Sequence, residues 1–126
     1  MSGVTYDAGA LIAGERDSAR MWSLHKRALI RGQWPTVPAG VLGQVWRGGP
    51  QAKLSRLLVG CRVEPLTEAW ARTAGAALAK SGTSDLIDAV VVVTALARGD
   101  LVVTSDPDDL TTIASAIGGV LTMHVV

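Results

Sequence analysis

The chain is 126 residues long, which suits a single domain, and it is 48% hydrophobic against 18% charged, enough apolar side chain for a core and too little charge for disorder. Twelve Lys and Arg against eleven Asp and Glu leave a formal charge of +1, which excludes a general basic surface for nucleic acid, so any phosphate contact must come from a local patch. Cys61, the single cysteine, cannot close an internal disulfide or build a zinc site, and the absence of Phe beside one Tyr argues against sheets that stack bases.

No apolar run approaches the roughly 20 residues of a membrane span. The start, Met1-Ser2-Gly3-Val4, lacks the basic and apolar segments of a signal peptide, so a cytoplasmic protein with no membrane partner is expected. Val4-Thr5-Tyr6 is a short β-prone run ending at Asp7, and Ala8 to Ala13 reads as the start of a helix. Between Ser18 and Ile30, Met21, Trp22, Leu24, Ala28 and Leu29 recur at helical spacing, with Gly32 as the stop. Thr36-Val37, between two prolines, is at most a short strand or an extended entry. Short helices follow over Gly40 to Trp46 and Gln51 to Leu58, separated by Gly48-Gly49-Pro50.

Cys61 to Glu64 alternates as a strand, and Thr67 caps a helix over Glu68 to Lys80 that Gly82 ends. Ser84 is expected to cap a strongly apolar helix, Asp85 to Ala97, with Arg98 in its last turn and Gly99 as its stop. Leu101 to Thr104 is a buried strand, Asp106-Pro107 opens a last helix to Ile117, and Val120 to Val126 is a final strand. The four tryptophans, Trp22, Trp34, Trp46 and Trp70, are scattered and suit packing in the core or against a partner. Strands separated by helices imply parallel pairing and an α/β sandwich.

In an open parallel sheet, ligands bind beyond the carboxyl ends of the strands. Asp7 and Asp106 follow two such ends, and Asp85 and Asp88 are three residues apart at a helix start, where they share a face. If the strands before Asp7 and Asp106 are neighbours, three or four carboxylates meet at one edge. Bare, they repel; Mg²⁺ or Mn²⁺, held by carboxylate oxygens and water, resolves the conflict and opens metal-assisted phosphodiester hydrolysis.

Tyr6-Asp7-Ala8, the run from Val37 to Val45, Asp88-Ala89 with Val90 to Leu96, and the run from Val102 to Leu110 together resemble the PIN-domain family in order and spacing. The resemblance is strongest to the VapC-like toxins, small prokaryotic ribonucleases of toxin-antitoxin pairs. It spans essentially the whole chain, and the last two motifs are the most specific. It implies a three-layer α/β/α PIN-like domain over residues 1–126 with a central, mainly parallel sheet. It also implies a Mg²⁺- or Mn²⁺-dependent endoribonuclease, a hydrolase of RNA phosphodiesters, forming a homodimer and held inactive by a VapB-like antitoxin. Position by position, the resemblance makes Asp7, Asp88, Asp106 and Thr104 the catalytic set, with Asp7, Asp88 and Asp106 as metal ligands and Asp85 and Asp109 as further candidates.

Two positions depart from the family pattern. Gln44 stands where the family has Glu, so one unit of negative charge is missing, and Gly9 stands where a hydroxyl residue often follows the first acid. Gln44 keeps open an alternative, a metal-poor PIN relative that binds RNA or an antitoxin without cleavage. A phosphatase or receiver domain fits worse, because no second Asp follows Asp7 two residues on and no suitable Lys follows a late strand.

Simpler structural roles compete at each position. Asp106 before Pro107 is a good helix N-cap, with Asp108 and Asp109 merely suiting the dipole, and Asp85 is an ordinary first-turn acid. Asp7 and Asp88, next to buried segments, are harder to explain as structural. Arg16, Arg20, Arg27 and Arg31 fall on one helix face only if the helix runs through Asp17; the choices are a solvated face or a track for RNA phosphates, which Arg47, with Lys53 and Arg56, would extend. Glu15 is expected to pair with Arg16 or Arg20, and His25 and His124 to pack away from the acids.

Overall fold

Short β-branched runs separated by helices have no hairpin partner, so they pair in parallel through crossovers. The computed structural model, which describes residues 3–126, has five such strands: β1 (Val4–Tyr6), β2 (Thr36–Pro38), β3 (Arg62–Glu64), β4 (Leu101–Thr104) and β5 (Met123–Val125). They form one sheet in the order β3-β2-β1-β4-β5, and every pairing is parallel. The helices are α1 (Ala8–Glu15), α2 (Ala19–Ile30), α3 (Ala39–Val45), α4 (Ala52–Val59), α5 (Glu68–Ser81), α6 (Leu86–Arg98) and α7 (Pro107–Ala116).

Alternation along β1 sends neighbouring side chains to opposite faces. Tyr6 reaches α2, where its hydroxyl and His25 Nδ1 share a 2.8 Å hydrogen bond, whereas Thr5 reaches Arg98 at the end of α6. One layer is thus α1 packed with α2, α3 and α4; the other is α5, α6 and α7 packed on one another. Burial raises the pKa of the Tyr6 phenol and lowers that of His25, so both are neutral at pH 7. The α1–α4 contact is close enough that a β-carbon on Gly14 would stand 2.8 Å from Leu57 Cδ2, and the Gly14 carbonyl accepts from Trp22 Nε1 at 2.9 Å.

Four expectations change. The helix does not run through Asp17: that residue is left-handed at φ 64°, Ser18 N–H closes on the Ala13 carbonyl at 3.0 Å, and Ser18 Oγ caps α2 through Met21 N–H. Arg16 therefore lies outside α2, which carries Arg20 and Arg27 and ends at its C-cap, Arg31. Asp85, not Ser84, caps α6, its Oδ1 accepting from Asp88 N–H at 3.0 Å. Asp106 occupies the cap position of α7 without making a side-chain cap bond. The last strand is confined to Met123–Val125. Helix α6 itself is as expected: Ala89 to Ala95 are all buried, and tertiary burial overrides the strand preference of four consecutive valines.

Arg98 ties the lead-in to β4, the middle of β1 and the end of β3 together. Its Nε meets Asp100 Oδ2 at 2.9 Å, Nη1 meets Glu64 Oε2 at 2.7 Å, and Nη2 meets Thr5 Oγ1 at 3.1 Å. Asp100, only 6% exposed, also accepts from Thr5 Oγ1 and from Gly3 N–H. Arg98→Met is expected to cost about 3 kcal/mol in urea unfolding, because it strands the buried Asp100 charge. Adding Asp100→Asn to Arg98→Met should recover a large part of that loss.

Candidate functional site

Strand β1 lies beside β4 in the sheet, yet the chain leaves β1 toward β2 on one side and leaves β4 toward β5 on the other. Connections that diverge from adjacent parallel strands open a crevice at their carboxyl ends. Asp7 stands there, its backbone N–H held by the Val103 carbonyl at 3.2 Å, and Asp106 lies two residues beyond the end of β4. Helix α6 precedes β4 and runs against it, so its first turn brings Asp88 to the same edge, and α3, after β2, brings Gln44.

These groups line one cavity of about 400 Å³: Asp7, Asp88, Asp106 and Asp109 with Gln44, Arg47, Gly9 and Ser105. A second cavity of about 280 Å³ adjoins it, sharing Asp88 and Asp109 and adding Asp85 with the hydroxyls of Thr83, Ser84 and Thr112. Thr83 and Thr112 carried no sequence signal, because a polar residue in a loop or on an exposed helix face reads as solvated surface, and Ser84 was expected only as a helix cap.

Asp7 is held most firmly. It is 8% exposed, Oδ1 accepts from Ala10 N–H at 3.1 Å, and the side chain also accepts from Gly9 N–H and the Thr104 hydroxyl. Burial nevertheless raises its pKa, against those hydrogen bonds, and the nearby Asp106 charge adds to the rise. Thr104, fully buried, also accepts from Asp106 N–H at 3.0 Å, so one hydroxyl ties the ends of β1 and β4 together. Thr104 thus positions two acids and does not line the cavity.

Asp88 is pushed up to about 6, first by burial and then by the charges of Asp85, Asp109, Asp7 and Asp106. Exposed Asp109 is raised too, chiefly by Asp106, with which it shares a side-chain hydrogen bond. Among the described residues, the ion pairs are Lys53–Asp17, Arg72–Glu68, Arg98–Glu64 and Arg98–Asp100, and none includes an acid of this site. Repulsion is left unbalanced by any side-chain cation in salt-bridge contact.

The donor set is all oxygen, which suits a hard divalent cation. Its arrangement is open: among the described residues, no three His, Cys, Asp or Glu side chains are gathered so as to hold a metal ion. Asp106 and Asp109 are exposed, whereas Asp7 is buried and hydrogen-bonded.

The arginines are dispersed. Arg27 and Arg31 line a cavity of about 390 Å³ with Gly3, Val4 and Leu101, at the opposite end of the sheet. Arg20 reaches the Val125 carbonyl at 3.4 Å, and Arg16 sits in the break after α1. Arg47 alone reaches the carboxylate cavity, with its guanidinium donating to the Gly43, Gln44 and Trp46 carbonyls. Lys53 pairs with Asp17, and Glu15 accepts from Gln51 Nε2 at 2.6 Å, not from Arg16 or Arg20. His25 is buried on Tyr6, and His124 borders the Arg27 cavity, so both stand apart from the acids as expected.

No family model matches this sequence, and no curated protein matches it. Solved structures do share its fold. A chain of VapBC2 from Rickettsia felis, solved bound to a DNA fragment from its promoter, superposes with a TM-score of 0.74 over 98% of both chains at 12% identity. A chain of DNA-bound VapBC from Salmonella typhimurium gives 0.67 over 99% of this chain and 98% of that one at 18% identity. PAE2754 from Pyrobaculum aerophilum gives 0.63 over 97% and 83% at 14% identity. The fold is therefore that of subunits found in VapBC complexes, and no helix of the described residues is long and apolar enough to cross a membrane.

The raised Asp88 pKa has a stability consequence whose sign is fixed. Folded Asp88 binds its proton more tightly than the unfolded chain does, so the metal-free protein gains stability as pH falls from about 6 toward the ordinary carboxylate value of 3.8. Asp88→Asn should stabilise by about 1 kcal/mol at about pH 7.5, discounted for partial solvent screening. The gain should vanish near about pH 4, as read by urea unfolding in chelator.

Proposed function

We propose that this chain is a divalent-metal-dependent endoribonuclease, the toxin of a VapBC-like pair that acts in the cytoplasm. What carries the proposal is the cluster of aspartates, none in an ion pair among the described residues, at the switch point of a parallel sheet. The VapBC structures that share the fold add support, as does the resemblance of the residues around Asp7, Asp88 and Asp106 to the PIN pattern.

Asp7, Asp88 and Asp106 would hold Mg²⁺ or Mn²⁺, with Asp109 at the rim and Asp85 half committed to capping α6. The bound cation would supply Lewis acidity, lowering the pKa of water and stabilising charge on the phosphate. Asp7 orients the site, because its carboxylate cannot turn without breaking bonds to Ala10 N–H and Thr104. Thr104 keeps Asp106 in step with Asp7. Asp88, raised to about 6 in the metal-free protein, must give up its proton for the cation to bind, so loading of the site should strengthen as pH rises through that value. Arg47 is the cation placed to receive a substrate phosphate at the same cavity.

A VapB-like antitoxin and a second copy of this chain belong to the same proposal. Trp22, Lys26, Leu29 and Ile30 line an apolar cavity of about 530 Å³ on α2, a surface that suits a protein partner. The second reading, RNA or antitoxin binding without cleavage, draws on Gln44, whose neutral side chain lies on the wall of the carboxylate cavity.

Calorimetry with Mn²⁺ should show binding that Asp7→Asn weakens by roughly tenfold or more, because an amide keeps the shape but not the charge. Labelled single-stranded RNA should be cut with Mn²⁺ or Mg²⁺ and spared in chelator. Gln44→Glu should tighten Mn²⁺ and raise cleavage several-fold. Cleavage that survives both chelator and Asp7→Asn overturns the metal-nuclease assignment; RNA binding without cleavage in any form establishes the second reading.

A further inference from the structure

Ser105 lies between the buried Thr104 and the exposed Asp106, in the turn from β4 into α7, and its own side chain is exposed on the wall of the carboxylate cavity. The turn and α1 interlock at this point. A β-carbon on Gly9 would collide with Ser105 Oγ and stand 2.8 Å from both its Cβ and its backbone nitrogen. Gly9 lies within α1 and is not among the glycines with positive φ, so what the glycine supplies is space for Ser105 and not an unusual backbone angle.

The neighbouring donors are already committed. The N–H groups of Gly9 and Ala10 serve the Asp7 carboxylate, and the Thr104 hydroxyl serves Asp7 and Asp106. The Ser105 hydroxyl makes no hydrogen bond among the described residues, although it stands beside Asp7 and Asp106. A phosphodiester approaching a wall of carboxylates is repelled by every one of them, so a neutral donor held at that wall has a distinct use.

We propose that Ser105 is a substrate-binding residue, its hydroxyl donating to a non-bridging phosphate oxygen of the RNA beside Asp7 and Asp106, with Gly9 as the gap that holds it there. The proposal rests on the nuclease reading and names one of its substrate contacts.

The test compares wild type with Ser105→Ala for cleavage of labelled single-stranded RNA in Mn²⁺, alongside Mn²⁺ calorimetry and thermal unfolding. Loss of one hydrogen bond to a charged phosphate oxygen should raise KM about tenfold and leave kcat within about twofold. Mn²⁺ affinity and Tm should stay at wild-type values. Gly9→Ala, which pushes the turn away, should raise KM at least as much while lowering Tm. A Ser105→Ala protein with wild-type KM overturns the proposal. So does a variant whose Mn²⁺ affinity falls by the same factor as its activity, since Ser105 would then be acting through the aspartates. If wild type binds RNA without cutting it, the dissociation constant of the same RNA replaces KM, and an unchanged value overturns the proposal. A wild type that neither cuts nor binds RNA removes the nuclease reading first, and this contact with it.

Discussion

The parallel pairing of β1 with β4 is the constraint on which the site depends. Val4, Thr5 and Tyr6 lie opposite Leu101, Val102 and Val103, and the ladder continues through Asp7 N–H to the Val103 carbonyl. A register shifted by one residue would turn Tyr6 away from His25 and Thr5 away from Arg98, so burial on both faces locks the pairing. With the register set, Asp7 and the Thr104-Ser105-Asp106 turn must be neighbours. Helix α6 leads into β4 and so must start at the carboxyl edge, which delivers Asp88 without any further device. The same helix ends just before β4, where Arg98 finds Asp100, Thr5 and, from the end of β3, Glu64.

The two ends of the sheet are electrostatically unlike. Around Arg98 a guanidinium is matched by two carboxylates and a hydroxyl, and that network helps to hold the fold. At the carboxyl edge, aspartates crowd together with no salt-bridging cation among the described residues, and burial, with that crowding added, raises Asp88 to about 6. Such crowding lowers the stability of the bare protein, which marks the edge as a place kept for something other than packing. Thr104 limits the damage by hydrogen bonding to Asp7 while accepting from Asp106, a role that a buried hydroxyl between two strand ends can fill and a methyl group cannot.

The order of elements was legible from the sequence because each signal is local: β-branched runs, helical spacing, Thr67 as a cap, Gly82 and Gly99 as stops. The aspartates were legible for a related reason, since an acid beside a buried strand or at the head of a buried helix lacks an easy structural explanation. Boundaries that turn on one backbone angle were not. Asp17 adopts a left-handed conformation where Ser18 N–H bonds the Ala13 carbonyl, and that turn separates Arg16 from the α2 arginines with which its spacing alone suggested one face. Asp85 took the cap from Ser84 by the same kind of local competition, in which two adjacent side chains are chemically fit and only the entry angle of the chain chooses.

The sequence by itself therefore determined that the chain alternates short strands with helices, that the strands pair in parallel, and that Asp7 and Asp88 lack an easy structural explanation. Those properties follow from side-chain periodicity and from the cost of burying a carboxylate, which act over a few residues. Only the tertiary structure decided that β1 and β4 are neighbours, that Gln44 faces the acids, that Arg27 and Arg31 lie at the far end, and that Ser105 fills the space left by Gly9. Each of these joins residues far apart in the chain through strand order and close packing, and neither is encoded in any one segment.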